Sequence, residues 1–198
     1  MKTQEARLSR TERKQQTRAA LLAAARSVVA RRGMQAATHE EIASEAGLTI
    51  GAIYSNFSSK ADLMASLWGD VASHSAVLLE ERPTLRECLG ALAHRLARAV
   101  DEDPESVDLQ LEYQLYAIRV PEARDRRLPH WEAGHQAHAA VLERVAARSG
   151  EVLPVPARDF AEAVSSLAFT LMCGRRILGP EAMTEERMVN ALLCLVPR

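Results

Sequence analysis

The sequence predicts an all-α protein: a three-helix helix-turn-helix head at the N-terminus on a larger helical body. Three observations predict it. Alanine and leucine abound while Phe, Trp and Tyr make up only 4% of the 198 residues, a balance that favours helices over strands. Apolar residues recur at three- and four-residue spacing along the chain, without the strict alternation of a half-buried strand. Capping signals, glycines and prolines then cut this pattern into segments of helical length.

Residues 1–14 are polar and basic and read as a flexible arm, with a head over 15–60 and a body over 61–198. The first helix starts near Thr11 and ends at Arg32, with Leu21, Ala25, Val28 and Val29 on one stripe and Gly33 as a left-handed stop. Thr38-His39-Glu40-Glu41 is a capping box that opens a short helix burying Ile42, Ala43 and Ala46. Gly47-Leu48 is a tight turn, and Thr49 caps a second short helix from Ile50 to about Phe57. Two short helices joined by a Gly-containing turn are what a helix-turn-helix requires.

Beyond residue 60 a long segment runs from Asp62 to Glu81. Thr84 caps a helix with Leu85, Leu89, Leu92, Leu96 and Val100 on one face, and Asp103-Pro104-Glu105 starts the next. Further helices are expected from about Pro129 to Ser149, over Ala157–Leu178 and over Thr184–Val196.

Charge is uneven. Residues 1–32 carry nine Lys/Arg against two Asp/Glu, a balance of +7, whereas residues 61–198 carry fifteen against twenty-one, a balance of −6. Such a basic head on an acidic body points to a polyanion met by the head alone. No apolar run reaches the roughly 18–20 residues of a membrane span, and the polar N-terminus has no signal-peptide core, so a soluble, cytoplasmic protein is expected. Cys88, Cys173 and Cys194 lack CxxC spacing and read as small core residues, with neither a zinc site nor a disulfide framework. No phosphate loop, nucleophile–base spacing or carboxylate pair indicates an enzyme, and no cofactor is expected.

The stretch Ile42-Ala43, Ala46-Gly47-Leu48-Thr49, Gly51-Ala52-Ile53-Tyr54, Asn56-Phe57 and Lys60 resembles the DNA-binding head of the TetR family of ligand-responsive transcriptional regulators. That family's pattern runs Ile-Ala, Ala-Gly-Val-Ser, Gly-Thr-Leu-Tyr, His-Phe, Lys. The resemblance implies a homodimeric repressor that binds a near-palindromic double-stranded operator and releases it when a small molecule fills the body. It also implies phosphate contacts from Thr38, Tyr54 and Lys60. By residue chemistry, Ile50 and Ala52 suit thymine methyls, Ser55 and Asn56 suit base edges or phosphates, and Gly51 lets the backbone approach DNA. The Thr49 hydroxyl caps the recognition helix, and Arg18, with Arg10, Arg13 and Lys14, is a candidate for backbone contacts. His39 departs from the pattern, where a small hydroxyl or apolar residue is usual, as do Asn56 and Ile50.

For the body, the resemblance implies a ligand pocket and a dimer formed by the last two long helices. Met64, Leu67, Trp68, Leu115, Tyr116, Trp131, His135, Phe169 and Met172 are candidates to line the pocket, and each equally suits ordinary core. Phe160, Val164, Leu167, Leu171, Met188, Leu192 and Leu195 are expected at the dimer interface, because helices apolar nearly all round must be covered on both sides. Rival readings are a ligand-independent or activating regulator, a protein-interaction module, and a metal-binding helical protein using His130, His135 and His138, although His at i, i+3 lack the further ligands of a zinc site.

Overall fold

The computed structural model describes residues 9–76 and 81–196, with side chains for all of these except 69–76. The rest of the expected arm and residues 77–80, read as the end of the helix from Asp62, lie outside the described residues. The described residues form nine helices and no strand: α1 (Arg10–Ala36), α2 (His39–Glu45), α3 (Ile50–Asn56), α4 (Lys60–Ala76), α5 (Leu85–Glu102), α6 (Pro104–Arg119), α7 (Pro121–Ser149), α8 (Ala157–Leu178) and α9 (Glu185–Leu193). The all-α expectation holds, and no described helix is long and apolar enough to cross a membrane.

Three starts or stops differ from the sequence reading. Helix α1 begins at Arg10, inside the expected arm, because Ser9 and Glu12 form a capping box: the Glu12 N–H donates to Ser9 Oγ (3.2 Å) and the Ser9 N–H to Glu12 Oε2 (2.7 Å). Helix α7 begins at Pro121 rather than Pro129, which sits within it. A proline at the first helical position forfeits nothing, whereas Pro129 removes one N–H from the ladder. Gly33 has φ 75° and ψ 158°, positive but extended rather than the left-handed cap, and one further turn follows it.

That region of backbone space is open to glycine almost alone. A Cβ on Gly33 would also lie 3.0 Å from Glu112 Oε2, the atom that accepts the Met34 N–H at 2.9 Å. Gly33→Ala is therefore expected to lower stability by roughly 1–3 kcal/mol, read as a fall in the thermal midpoint. An unchanged melt would mean that α1 re-forms its last turn without strain.

The chain divides into two compact units. The first holds the described residues up to Trp68 together with Glu112–Arg126; the second holds Gly69–Leu111 and Arg127 onward. The head unit thus takes in the start of α4, the end of α6 and the start of α7, more than the expected 15–60. Its buried residues include Leu21, Ala25, Val28 and Val29 from α1, Ile42 and Ala43 from α2, Ile53 and Phe57 at α3, and Leu63, Met64 and Leu67 from α4. The Tyr113 hydroxyl, fully buried, donates to the Ala123 carbonyl (2.9 Å), pinning the end of α6 to the start of α7.

The second unit has one core. Leu85, Leu89, Leu92, Leu96 and Val100 from α5 meet Leu142 and Val145 of α7, Phe160, Val164 and Leu171 of α8, and Met188 and Leu192 of α9. Cys88 belongs to this core, and burial pushes its thiol up to about 11. Cys173 is half-buried and Cys194 exposed, so only Cys88 fits the expected small core cysteine in full.

Candidate nucleic-acid interface

The site is built by α1, α2 and α3. Thr38 caps α2 and forms the expected capping box: its Oγ1 accepts the Glu41 N–H (3.2 Å), while Glu41 Oε2 accepts the Thr38 N–H (3.1 Å). Gly47 takes a φ of +65° at the turn, and the Leu48 N–H reaches back to the Ala43 carbonyl (2.9 Å). This closing bond is of the Schellman type and lets the chain reverse within two residues. Thr49 then caps α3 by its backbone, with no side-chain bond to the helix.

One face of α3 is anchored and the other is open. Ile53 and Phe57, four residues apart, are buried. Thr49, Ile50, Gly51, Tyr54 and Ser55 are exposed, Ile50 by 37% and Tyr54 by 61%. Ala52 and Asn56 are half-buried. Ser55 Oγ and Asn56 Nδ2 both donate to the Ala52 carbonyl (3.0 and 2.8 Å), so both side chains fold back on their own helix. Gly51 has ordinary helical geometry, and a Cβ there would meet only Thr49 Oγ1 at 3.7 Å, an ordinary contact. The fold therefore does not require glycine at this position.

Two predicted contact residues face inward. Arg18 donates to the Asn56 carbonyl (3.0 Å) and to Ser66 Oγ (2.8 Å), and its guanidinium lies 4.3 Å over the Phe57 ring. It clamps the end of α3 between α1 and α4. Lys60 Nζ donates to the Gln35 carbonyl (2.8 Å). Burial pushes its ammonium down from its usual value against the opposing pull of Glu41. Arg10, Arg13 and Lys14 lie exposed on the first turns of α1. Arg31 and Arg32, expected at a helix end, instead pair with Glu45 (2.8 Å) and Glu41 (2.9 Å), neutralising two of the head's three acids between residues 33 and 60.

Sequence reading missed the support behind this face. At the start of α4, the Ser58 N–H and hydroxyl donate to Asp62 (2.7 and 2.9 Å), and Arg126 of α7 reaches both Ser58 (3.0 Å) and Asp62 (3.4 Å). Burial raises the Asp62 carboxyl, but these bonds and charges prevail and hold it below its usual value. No short-range pattern links residue 62 to residue 126.

Of the candidate pocket residues, Met64, Leu67, Trp68, Leu115 and Tyr116 belong to the head unit, and Trp131, His135, Phe169 and Met172 to the other. Met64, Leu67, Tyr116, His135 and Met172 are buried, Leu115 is exposed and the others are half-buried. Trp68 stacks on Tyr113 (5.3 Å between centroids), and His135 packs on Trp131 (4.3 Å) with Nδ1 2.7 Å from the Trp131 carbonyl. Among the described residues no group of three or more His, Cys, Asp or Glu is arranged to hold a metal ion. Of the residues expected at the dimer interface, Phe160, Val164, Leu171, Met188 and Leu192 are buried in the core of their own unit, while Leu167 and Leu195 are half-buried.

This is the architecture of a helix-turn-helix head with a helical body. Residues 21–67 match the family described as bacterial regulatory proteins, tetR family. No curated protein matches the chain. Among solved structures, one is a protein of Pseudomonas aeruginosa PAO1 proposed to be a transcriptional regulator. It is 24% identical at a TM-score of 0.77, over 98% of this chain and 94% of that one. The transcriptional regulator FadR of Bacillus subtilis, solved with stearoyl-CoA, is 16% identical at a TM-score of 0.71, over 90% and 99%. NalD of P. aeruginosa, the secondary repressor of the MexAB-OprM multidrug efflux pump, is 20% identical at 0.71, over 93% and 98%. The head of this chain is thus similar to that family over residues 21–67, and the chain as a whole has the fold of these solved structures.

Proposed function

We propose that the protein is a sequence-specific transcriptional repressor that acts as a homodimer on a near-palindromic operator and leaves it when a small apolar molecule binds the body. The observation that carries the DNA-binding part is the open face of α3. Ile53 and Phe57 fix the helix from behind, while Thr49, Ile50, Gly51 and Tyr54 stand outward without serving the core. Gly51 is telling, because internal packing has room for a side chain there. A flat spot on an exposed recognition helix suits close approach of a DNA backbone. Thr38 at the start of α2 and Tyr54 supply hydroxyls for phosphates, and the outward cations of α1 add sequence-independent attraction.

The released-repressor part draws on the resemblance and on FadR and NalD, the one solved with an acyl-CoA and the other a repressor. Two recognition helices must sit about 34–36 Å apart, or a multiple, to meet successive major grooves. An effector that favours a mismatched spacing must do so by about 5.5 kcal/mol to turn a 99:1 preference around. For the dimer, the half-buried apolar residues of α8 and α9, Leu167, Cys173, Val189, Leu193 and Leu195, replace the five core residues as the paired surface.

The test is selection of bound duplexes from a random pool by the full-length protein, then titration of the winner at two salt concentrations. An enriched near-palindrome, bound by two chains with a steep salt dependence, is the expected result. Gly51→Ala then separates fold from function. It is expected to leave the melt unchanged or raise stability by about 0.5–1 kcal/mol, while weakening operator binding. Equal binding to all sequences would sink the proposal, and an operator complex that no small molecule disturbs would favour the ligand-independent reading.

A further inference from the structure

His39 is the one ring at the start of α2, and it takes no part in the cap made by Thr38 and Glu41. It stands next to the cap Thr38, and its ring meets that of Tyr54 on α3 edge to face, with centroids 5.4 Å apart and planes at 89°. Perpendicular rings at this separation are attractive, the positive edge of one facing the negative face of the other. Little else explains the ring. The α2 terminus is closed by Thr38 and Glu41, and the inward face of α2 is filled by Ile42 and Ala43. Nor does Tyr54 serve the core, with 61% of its surface exposed.

One ring nitrogen argues against a direct role on DNA. His39 Nε2 is buried and has no hydrogen-bond partner, so that atom cannot reach a phosphate. The ring acts through its neighbour. An exposed tyrosine left alone samples several rotamers, and ordering it on contact with a phosphate opposes binding. A ring fixed on α2 holds the phenol in one of them beforehand.

We infer that His39 is a positioning residue for operator binding: through its edge-to-face contact it preorganises Tyr54, and so the phosphate contact that Tyr54 makes. The inference rests on the DNA-binding reading above. It also makes this histidine, where the family pattern has a small residue, a coupling between α2 and α3 rather than a neutral substitution.

The experiment is a double-mutant cycle in the full-length protein, titrated against its selected operator. His39→Ala is expected to weaken binding about three- to tenfold per head, the scale of one aromatic pair, with the head still folded and its melt lowered by no more than that pair contributes. His39→Phe keeps the ring and is expected to bind like the wild type. In a Tyr54→Ala background, His39→Ala should have no further effect, and phosphate-ethylation interference should show His39→Ala losing the phosphate that Tyr54→Ala loses. Independent effects of the two substitutions, or an unaffected His39→Ala, would overturn the inference while leaving DNA binding intact. A second readout needs no DNA. With all three tyrosines fluorinated, the Tyr54 resonance of the free protein should move in His39→Ala and not in His39→Phe; an unmoved signal also overturns the inference. Should the wild type select no duplex, the functional reading itself fails, whatever that resonance does.

Discussion

Replacing Phe57 by alanine is expected to abolish operator binding and to destabilise the head by about 3–5 kcal/mol. Phe57 is 2% exposed and sits where α3 stops, in extended conformation, with its N–H still bonded to the Ile53 carbonyl (2.8 Å). Its ring supports the Arg18 guanidinium 4.3 Å above it, and Arg18 in turn holds the Asn56 carbonyl and Ser66. Truncation therefore does two things at once. It opens a cavity behind α3, and it removes the surface on which the clamp of α3 rests, a stacking contact of about 0.5–2 kcal/mol in itself. Whole domains are stable by only about 5–15 kcal/mol, so the loss is a large share of what keeps the head folded. Phe57→Leu fills part of the space and is expected to be much milder. The measurement pairs a denaturant melt with the operator titration, plus hydrogen exchange across residues 42–57. An unchanged melt with operator affinity within twofold would show that α3 is held by something other than this ring. The contrast with Tyr54 is diagnostic: a change there is expected to alter binding and leave the melt alone.

Legibility in the sequence followed the range of the interactions. The turn between α2 and α3 could be read because its signals are local: a capping box at Thr38, a glycine at the bend and apolar residues four apart. The start of α1 is equally local, but its Ser9–Glu12 capping box lies in a polar, basic stretch with no apolar stripe beside it to mark a helix. The two ends of α7 show a competing rule. Pro129 looked like a start because an interior proline is costly, but Pro121 takes the favoured first position and the helix continues through the second proline. Contact residues were legible only as residue types on a surface. Which cations face outward depends on partners far along the chain: Gln35 for Lys60, and Asn56 and Ser66 for Arg18. The apolar breadth of α8 and α9 was read as a subunit interface because periodicity reports that a face is covered, not what covers it. Here part of that face shares one buried core with α5 and α7 inside the same unit.

Arg175 carries the second large effect. It is 8% exposed, and it donates through Nε and Nη2 to both oxygens of Asp101 (2.9 and 2.6 Å) and through Nη1 to the Met183 carbonyl (2.7 Å). One guanidinium thus joins α8 to the end of α5 and to the loop before α9. Asp101 itself is 48% exposed, so water screens much of the charge attraction. The larger part of what is lost on truncation is the three bonds and the packing of the buried side chain. Arg175→Ala is expected to destabilise by about 2–4 kcal/mol, and Arg175→Met, which keeps the volume, by less. Asp101→Ala, which leaves a buried cation without its counter-charge, should match or exceed Arg175→Ala. A pH series separates the charge from the packing. The Arg175 hydrogen bonds hold the Asp101 carboxyl below its usual value. The unfolded chain therefore binds this proton more readily, and the contribution is complete above the usual carboxylate range and lost as pH falls through the lower folded value. The stability gap between wild type and Arg175→Met is accordingly expected to be constant near neutrality and to narrow on acidification below about pH 4. A gap that stays the same down to pH 2 would show that Arg175 stabilises the unit by packing and its bond to Met183 alone.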